Sequence, residues 1–333
     1  VRSTIKDVAK FANVSPATVS LVLNNKPGVN AETRRQVQDA VEKLGYRPNQ
    51  IARSLITQKS STIGLIVTNI DNPFYGDLVY NVQKEVDKTN YNLLLGISND
   101  SVIKEKSAIE SMISRDVEGI IVVPTRDGEH DLSHLYNLKS LNIPFVFITS
   151  AYNGIQADCV MTDFEHATSD LTGHLLDKGE RKIYFITEKR TLMLSDRRIK
   201  GYENAFKQRG LDFNPSWIIE TNPNVQSGID ETKKILEKDK PDAIIALNAT
   251  TSLGVMKCLK DYNISVPDEV AVAGFDDLIY SSILYTPLTS VNQPMMQMCR
   301  YAVELLLQRV EGDKKPFWTE LLGAEMIVRD STK

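Results

Sequence analysis

The side chains best placed for chemistry stand just after short apolar runs. Asp71, Phe74 and Tyr75 follow the run at 63–67, and Asp163 follows the segment at Cys159. Asn248 follows 243–247, Asp276 follows 270–274, and Arg198 lies in the segment leading into a helix at Gly201. In open α/β sheets, ligands bind outside the carboxyl ends of strands. Carboxylates and amides grouped with an arginine and flanked by aromatic faces suit a polyhydroxylated ligand: donors and acceptors meet its hydroxyls while rings cover its C–H face. Strand ends also carry aromatic residues and helix caps in folds that bind nothing, so residue types alone leave both readings open. No Walker loop and no G-x-S-x-G elbow occurs, and no enzyme is expected. Of the histidines His130, His134, His166 and His174, the first two are four apart, a spacing that suits a metal on a helix. Asp127-Gly128-Glu129 reads as a loop, however, and no further ligand cluster is near, so neither a metal nor a cofactor is expected.

Elements must position these residues, and the pattern from Thr62 onward supplies them. Apolar runs at 63–67, 93–97, 119–123, 145–148, 182–186, 243–247 and 270–274 read as buried strands. Segments with helical periodicity at 78–89, 104–115, 167–178, 200–209 and 253–262 lie between most of them. Strands alternating with helices build parallel sheets through right-handed crossovers. The run is long enough for two doubly wound lobes with a cleft between them.

The first sixty residues are of another kind. They hold ten Lys/Arg and four acids, a net charge of +6, whereas the whole chain is −4 and residues 61–333 are therefore −10. A small basic module on an acidic body is the electrostatic outline of a nucleic-acid-binding head, although a solvated charged face gives the same count. Thr4-Ile5-Lys6-Asp7 reads as a capping box opening a helix whose buried stripe is Ile5, Val8, Ala9 and Ala12. Asn13 suits a turn that needs positive φ. Ser15-Pro16 is an N-cap with proline at the first helical position, and the second helix stops near Asn24-Asn25. Asn30 caps a third helix, with Val37, Ala40, Val41 and Leu44 inside and Gly45 ending it. Two such helices joined by a tight turn form a helix-turn-helix, which also occurs in structural bundles. The basic charge and the small polar residues facing outward favour DNA.

Ile5-Lys6-Asp7-Val8-Ala9, Val14-Ser15, Ala17-Thr18-Val19-Ser20 and Leu44-Gly45-Tyr46-Arg47-Pro48-Asn49 together resemble the head of the lactose-repressor (LacI/GalR) family. Asp71-Asn72-Pro73-Phe74-Tyr75, Gly274-Phe275-Asp276-Asp277 and the stretch from Leu288 through Gln293 to Pro294 extend the resemblance along essentially the whole chain. It implies a small all-α helix-turn-helix head (1–47), a hinge helix and linker (48–61) and an α/β body (62–333) of two doubly wound parallel-sheet lobes, periplasmic-binding-protein-like. Lobe one would take about 62–161 and 293–321, and lobe two about 162–290 and 322–330. The implied crossings lie near 159–163, 290–293, where Gln293 joins the ligand set, and 321–324.

The resemblance also implies roles. A homodimer would read a near-palindromic double-stranded operator through Pro16, Ala17 and Leu21 in the major groove. Thr4, Ser15, Thr18, Asn24, Thr33 and Tyr46 would grip the backbone, and Ile5, Ser20, Asn49 and Ala52 complete the DNA-facing set. Asn49 can cap a helix at 50–56, too short to be stable alone. In it the family's minor-groove leucine falls at Leu55, with Arg53 beside it. A plain flexible linker is the alternative. Arg198 and Asp276 match the family's best-kept effector contacts. Departures occur at Ala249 and Thr149, where acids are frequent, at Pro223, where some members have an aromatic wall, and in the apolar stretch Leu192-Met193-Leu194. A purine corepressor is therefore not expected, and a sugar or sugar phosphate is. Alternatives are a regulator answering a phosphoprotein, although the helix after Pro294 has Met296 and Glu304 where that branch carries basic and tyrosine contacts, and a sugar-binding transport protein, against which the basic head and the missing signal-peptide pattern argue.

Composition fits a cytoplasmic regulator, with 42% hydrophobic and 25% charged residues. Cys159, Cys258 and Cys299 have neither disulfide-framework nor zinc spacing and read as reduced, buried thiols. The polar, charged first residues give no signal-peptide pattern, no apolar run approaches membrane-spanning length, and no heptad tail follows Val328 to suggest a coiled-coil tetramer.

Overall fold

The computed structural model describes residues 3–23, 26–46, 60–126 and 131–332, in two compact units, Val1–Ser60 and Ser61–Lys333. The first unit holds α1 (Ile5–Phe11), α2 (Pro16–Leu23) and α3 (Ala31–Lys43). Each start is fixed by a side chain that accepts an otherwise orphaned N–H. Thr4 and Asp7 form a reciprocal capping box, with Thr4 N–H donating to the Asp7 carboxylate at 2.8 Å. Ser15 Oγ accepts from Thr18 N at 3.1 Å, and Asn30 Oδ1 accepts from Thr33 N at 2.8 Å. Asn13 takes φ 52° in the turn between α1 and α2. Val8, Ala9, Ala12, Val19, Val22, Val37 and Ala40 close the small core, with Ile5, Leu44 and Tyr46 packed against it.

The second unit contains two six-stranded sheets. Sheet one has the order β11-β5-β4-β3-β1-β2, from β1 (Thr62–Val67), β2 (Asn92–Ile97), β3 (Gly119–Val122), β4 (Phe145–Ile148), β5 (Asp158–Thr162) and β11 (Thr319–Leu322). Sheet two has the order β12-β10-β9-β8-β6-β7, from β6 (Ile183–Thr187), β7 (Ile218–Glu220), β8 (Ala243–Ala246), β9 (Ala271–Phe275), β10 (Thr289–Asn292) and β12 (Glu325–Ile327). All neighbours are parallel except β10 and β12. Leaving out the late strands β11 and β12, both sheets repeat one order, in which the first strand lies between the second and third. The chain passes from sheet one to sheet two after β5, back after β10, and over again between β11 and β12.

Helices α4 (Pro73–Val86), α5 (Val102–Ile113), α6 (Ser133–Ser140) and α12 (Met295–Val310) go with sheet one. Helices α7 (Phe164–Asp177), α8 (Met193–Gln208), α9 (Val225–Lys238), α10 (Ala249–Asp261) and the short α11 (Ile279–Ile283) belong to the sheet-two stretch. The central strands are buried apolar runs: Ile63, Leu65, Val67, Ile121, Val146 and Val160 line one core, and Ile183, Phe185, Ala243, Ile245, Ala273 and Phe275 another. All five expected helices start earlier than read from sequence, and two of the shifts bear on the site. Pro73 opens α4 behind its cap Asn72, and α8 begins at Met193, so Arg198 stands inside the helix rather than in a lead-in to it. Helices α9 and α10 touch backbone to backbone: a Cβ on Gly254 would lie 2.1 Å from the carbonyl oxygen of Val225.

Candidate functional site

In both sheets the chain reverses winding beside the first strand, which leaves a crevice at the carboxyl ends of the strands. Side chains from both lobes meet there. Asn72, Phe74 and Tyr75 come from beyond β1, Arg126 from beyond β3 and Thr149 from beyond β4. Across from them are Glu188 after β6, Leu194 and Arg198 on α8, Asn248 after β8, Asp276 after β9 and Gln293 after β10. They enclose a deep cavity of about 60 Å³. An outer cavity of about 230 Å³ shares Tyr75, Arg126, Thr149, Glu188 and Leu194 with it and extends past Thr125, Tyr152 and Leu192.

Arg198 is the centre of the deep cavity. It is 5% exposed, its guanidinium lies 4.0 Å from the ring centroid of Phe164 and 4.9 Å from that of Phe275, and its Nε has no hydrogen-bond partner. A cation held between ring faces is favourable, but a buried donor without an acceptor is costly. Burial pulls its pKa down, against the pull of Asp276 and Glu188. Asp276 is also buried and has φ 62°, and Gln293 Nε2 donates to its Oδ1 at 2.5 Å. Burial pushes the Asp276 carboxyl above the ordinary range, against the lowering effects of Arg198 and Gln293. Gln293 Oε1 in turn accepts from Thr162, linking β5 in sheet one to the strand crossing. Asn248 Oδ1 is committed to capping α10 through Thr251 N at 2.8 Å, leaving its amide N–H groups for the cavity.

Among the described residues, one ion pair spans the cleft. Arg126 Nη1 of lobe one donates to Glu188 Oε1 of lobe two at 3.2 Å. On its other side Arg126 grips Asp100, with Nε to Oδ1 at 3.0 Å and Nη2 to Oδ2. The neighbouring Thr125 is fixed by Tyr152, whose hydroxyl accepts from Thr125 N at 2.8 Å and donates to buried Glu105 at 2.8 Å. Glu105 also meets His134 Nε2 at 2.8 Å. His134 is thus a buried residue of α6, not part of a loop, while His130 lies outside the described residues.

In the head, Thr4, Ser15, Pro16 and Ala17 are exposed, and Thr18, Ser20, Leu21, Thr33 and Tyr46 are half-buried. The outward positions of α2 and the turn before it therefore form one small polar and apolar surface. Asn24, Asn49, Ala52, Arg53 and Leu55 lie outside the described residues.

Residues 4–49 match the model of bacterial regulatory proteins of the lacI family, and residues 172–332 match a periplasmic binding protein-like domain. Catabolite control protein A of Priestia megaterium is 34% identical over 332 residues, covering 99% of each chain. The chain belongs to the lactose-repressor family. The PurR repressor of Vibrio vulnificus is 31% identical over 335 residues, 99% of each chain, and the ribose operon repressor of Haemophilus influenzae is 28% identical over 330 residues, covering 99% of this chain and 98% of that one. The chain is accordingly a DNA-binding transcriptional regulator of the lactose-repressor family. Its fold matches that of a lac repressor dimer bound to operator and the anti-inducer ONPF, with a TM-score of 0.89 at 24% identity over 100% of this chain and 99% of that one. A complex of the regulator CelR with cellobiose gives 0.75 at 25% identity over 99% and 100%.

Of the lactose-repressor ligand set expected from sequence, Phe74, Tyr75, Arg198, Asn248, Asp276 and Gln293 meet at the deep cavity. Asp71 and Asp163 are not among the residues lining either cavity. Asp71 is exposed in the loop before α4, and its neighbour Asn72 takes the place at the cavity. Asp163 is the N-cap of α7, accepting from His166 N at 3.3 Å. Arg126 and Glu188 were missed. Glu188 had a legible signal, since it follows a strand as Asp276 does; Arg126 is separated from its apolar run by Pro124 and Thr125. No described helix is long and apolar enough to cross a membrane.

Proposed function

We propose that this regulator is a cytoplasmic, homodimeric repressor, without catalytic activity, whose operator affinity is set by a small polyhydroxylated effector bound between its two lobes. The observation that carries this is Arg198, buried between two rings with its Nε unpaired, sharing a cavity with Asp276. A ligand with adjacent hydroxyls would accept from the arginine and donate to the carboxylate, covering both costs at once. Phe74, Tyr75 and Phe164 would cover its C–H face. The apolar wall Leu192–Leu194 and the absence of an acid at Thr149 do not suit a purine. The cellobiose bound by the similarly folded CelR is a ligand of this polyhydroxylated kind.

Pro16, Ala17 and Leu21 are proposed to read bases in the major groove, and Thr4, Ser15, Thr18, Thr33 and Tyr46 to hold the phosphates. The same role for Asn24, and the hinge role for Asn49, Ala52, Arg53 and Leu55, rest on the family pattern. Effector binding would then bias the hinge between folded and frayed states, which requires different affinities for the two. A thermal-shift screen of the full chain against neutral sugars and sugar alcohols tests the effector reading. A ligand well above its dissociation constant should stabilise the body by about 2–4 kcal/mol, and a panel without any stabilising polyol would count against it.

A second reading is control by a protein partner on α12. Met296 is 68% exposed there, and Arg300 lies 4.9 Å over the ring of Tyr301. It would be favoured if Arg300→Ala abolished regulation in cells while leaving ligand and operator binding intact.

A further inference from the structure

Arg126 and Glu188 are the charged residues where the two cavities of the cleft meet, a neck they share with Tyr75, Thr149 and Leu194. The guanidinium is occupied on both sides, by Asp100 in its own lobe and by Glu188 across the cleft. Glu188 is only 7% exposed, so its charge is poorly screened by water. Deeper in, Arg198 already faces Asp276, and Glu188 also acts on both of these groups. The cations lining the deep cavity, Arg126 and Arg198, are therefore matched by the carboxylates Glu188 and Asp276, with Asp100 as a further negative charge behind the neck. The Arg126 guanidinium is held in place by both carboxylates, and the backbone of Thr125 beside it is anchored by the Tyr152 hydroxyl, itself bonded to Glu105. A phosphate or carboxylate entering this neck would have to displace one carboxylate from Arg126 and then sit beside it.

We infer that Glu188 is a specificity-determining residue that excludes anionic ligands. The effector is an uncharged polyol, and sugar phosphates and sugar acids are turned away by the Glu188 carboxylate. This rests on the cleft being the effector site, and narrows the expected sugar or sugar phosphate to the former. Glu188→Gln keeps the size of the side chain and an acceptor for Arg126, but removes a negative charge from the neck: Arg126 keeps its Asp100 partner, while its Nη1 is left with a neutral amide oxygen that a phosphate oxygen can replace.

The test is calorimetry and thermal unfolding on the full chain, with inorganic phosphate and with matched pairs: glucose and glucose 6-phosphate, ribose and ribose 5-phosphate, galactose and galacturonate. The unmodified protein should bind no anionic probe more tightly than its neutral counterpart. Glu188→Gln should bind phosphate or a phosphorylated probe at least about tenfold more tightly than the unmodified protein, the scale expected from removing one poorly screened like charge a few ångströms away. Adding Arg126→Gln should abolish that gain. A wild-type preference for a sugar phosphate over its sugar overturns the inference without any variant. So does a folded Glu188→Gln, checked by its melting temperature, that gains no anion affinity. If phosphate affinity rises in the variant while no neutral polyol ever binds the wild type, the polyol reading falls and the role of Glu188 stands.

Discussion

At the scale of single residues, the cleft is organised around charges kept from water. Asp276 has a positive φ of 62°, a conformation asparagine adopts at least as readily as aspartate. Its carboxyl is held above the ordinary range mainly by burial. A carboxyl whose folded pKa is raised favours the fold when protonated; that contribution is complete below the unfolded pKa and is lost as pH rises through the folded one. Ionising Asp276 is therefore a cost to the empty protein, kept for what the carboxylate accepts from a ligand. Asp276→Asn should leave ligand-free stability unchanged or raise it by up to about 1 kcal/mol, measured by urea unfolding, while ligand affinity falls at least about tenfold. In the unmodified protein, affinity should weaken as pH falls through the raised Asp276 pKa, and the asparagine variant should lose this dependence. A variant that binds the ligand undiminished would remove Asp276 from the site. The pair Arg198 and Asp276 was legible in sequence because both residues match the family's best-kept effector contacts; position after a strand would have pointed to Asp276 alone, since Arg198 stands within α8. Asp71 and Asp163 were misplaced because the rule of looking beyond a strand does not separate a side chain aimed into the crevice from one that caps a helix or faces solvent. Glu188 and Arg126 become a pair only when two lobes close, which no local pattern encodes.

At the scale of elements, β1, β3, β4, β6, β8 and β9 could be read as apolar runs because both of their faces are covered by helices, whereas the interior β10, built from Thr289, Ser290, Val291 and Asn292, could not. The edge strands β7, β11 and β12 could not: they are three or four residues long and only partly buried, so neither an apolar run nor an alternation marks them. Helix α9 also escaped, although it is amphipathic, with Gly228, Thr232 and Ile235 on its buried face. Gly228 on α9 and Gly254 on α10 let the two backbones meet, and a Cβ on Gly228 would lie 2.4 Å from the Thr251 carbonyl oxygen. Gly254→Ala must push the helices apart and should cost about 1–3 kcal/mol, visible as a lower urea midpoint with unchanged operator preference. Equal stability would mean that the helices shift freely. In the head, Leu21 stands half-buried on the outward side of α2, beyond the core residues Val19 and Val22. Leucine can pack against a thymine methyl but cannot bond guanine bidentately as arginine does. Selection of binding sites from random DNA should therefore show no required guanine opposite this position, and Leu21→Arg should change the half-site preferred. The same guanine-dependent consensus for both proteins would contradict this.

At the scale of the whole molecule, a head of net charge +6 is joined to a body of −10. The head's charge draws the protein to any duplex and makes binding strongly salt-dependent, while the body's charge keeps that face off it. Sequence preference must then come from few base contacts, and regulation from a body that answers something other than DNA. A neutral polyol between the lobes is proposed to change the grip of the head, and that coupling sets the regulator's response. It is tested most directly by fluorescence anisotropy of the full chain on the operator obtained by selection, with and without the polyol that gives the largest thermal shift, at fixed salt. The polyol should change operator affinity at least about fivefold, in either direction, and Asp276→Asn should abolish the change while keeping its ligand-free operator affinity. An operator affinity that stays constant while the polyol saturates the protein would contradict the claim.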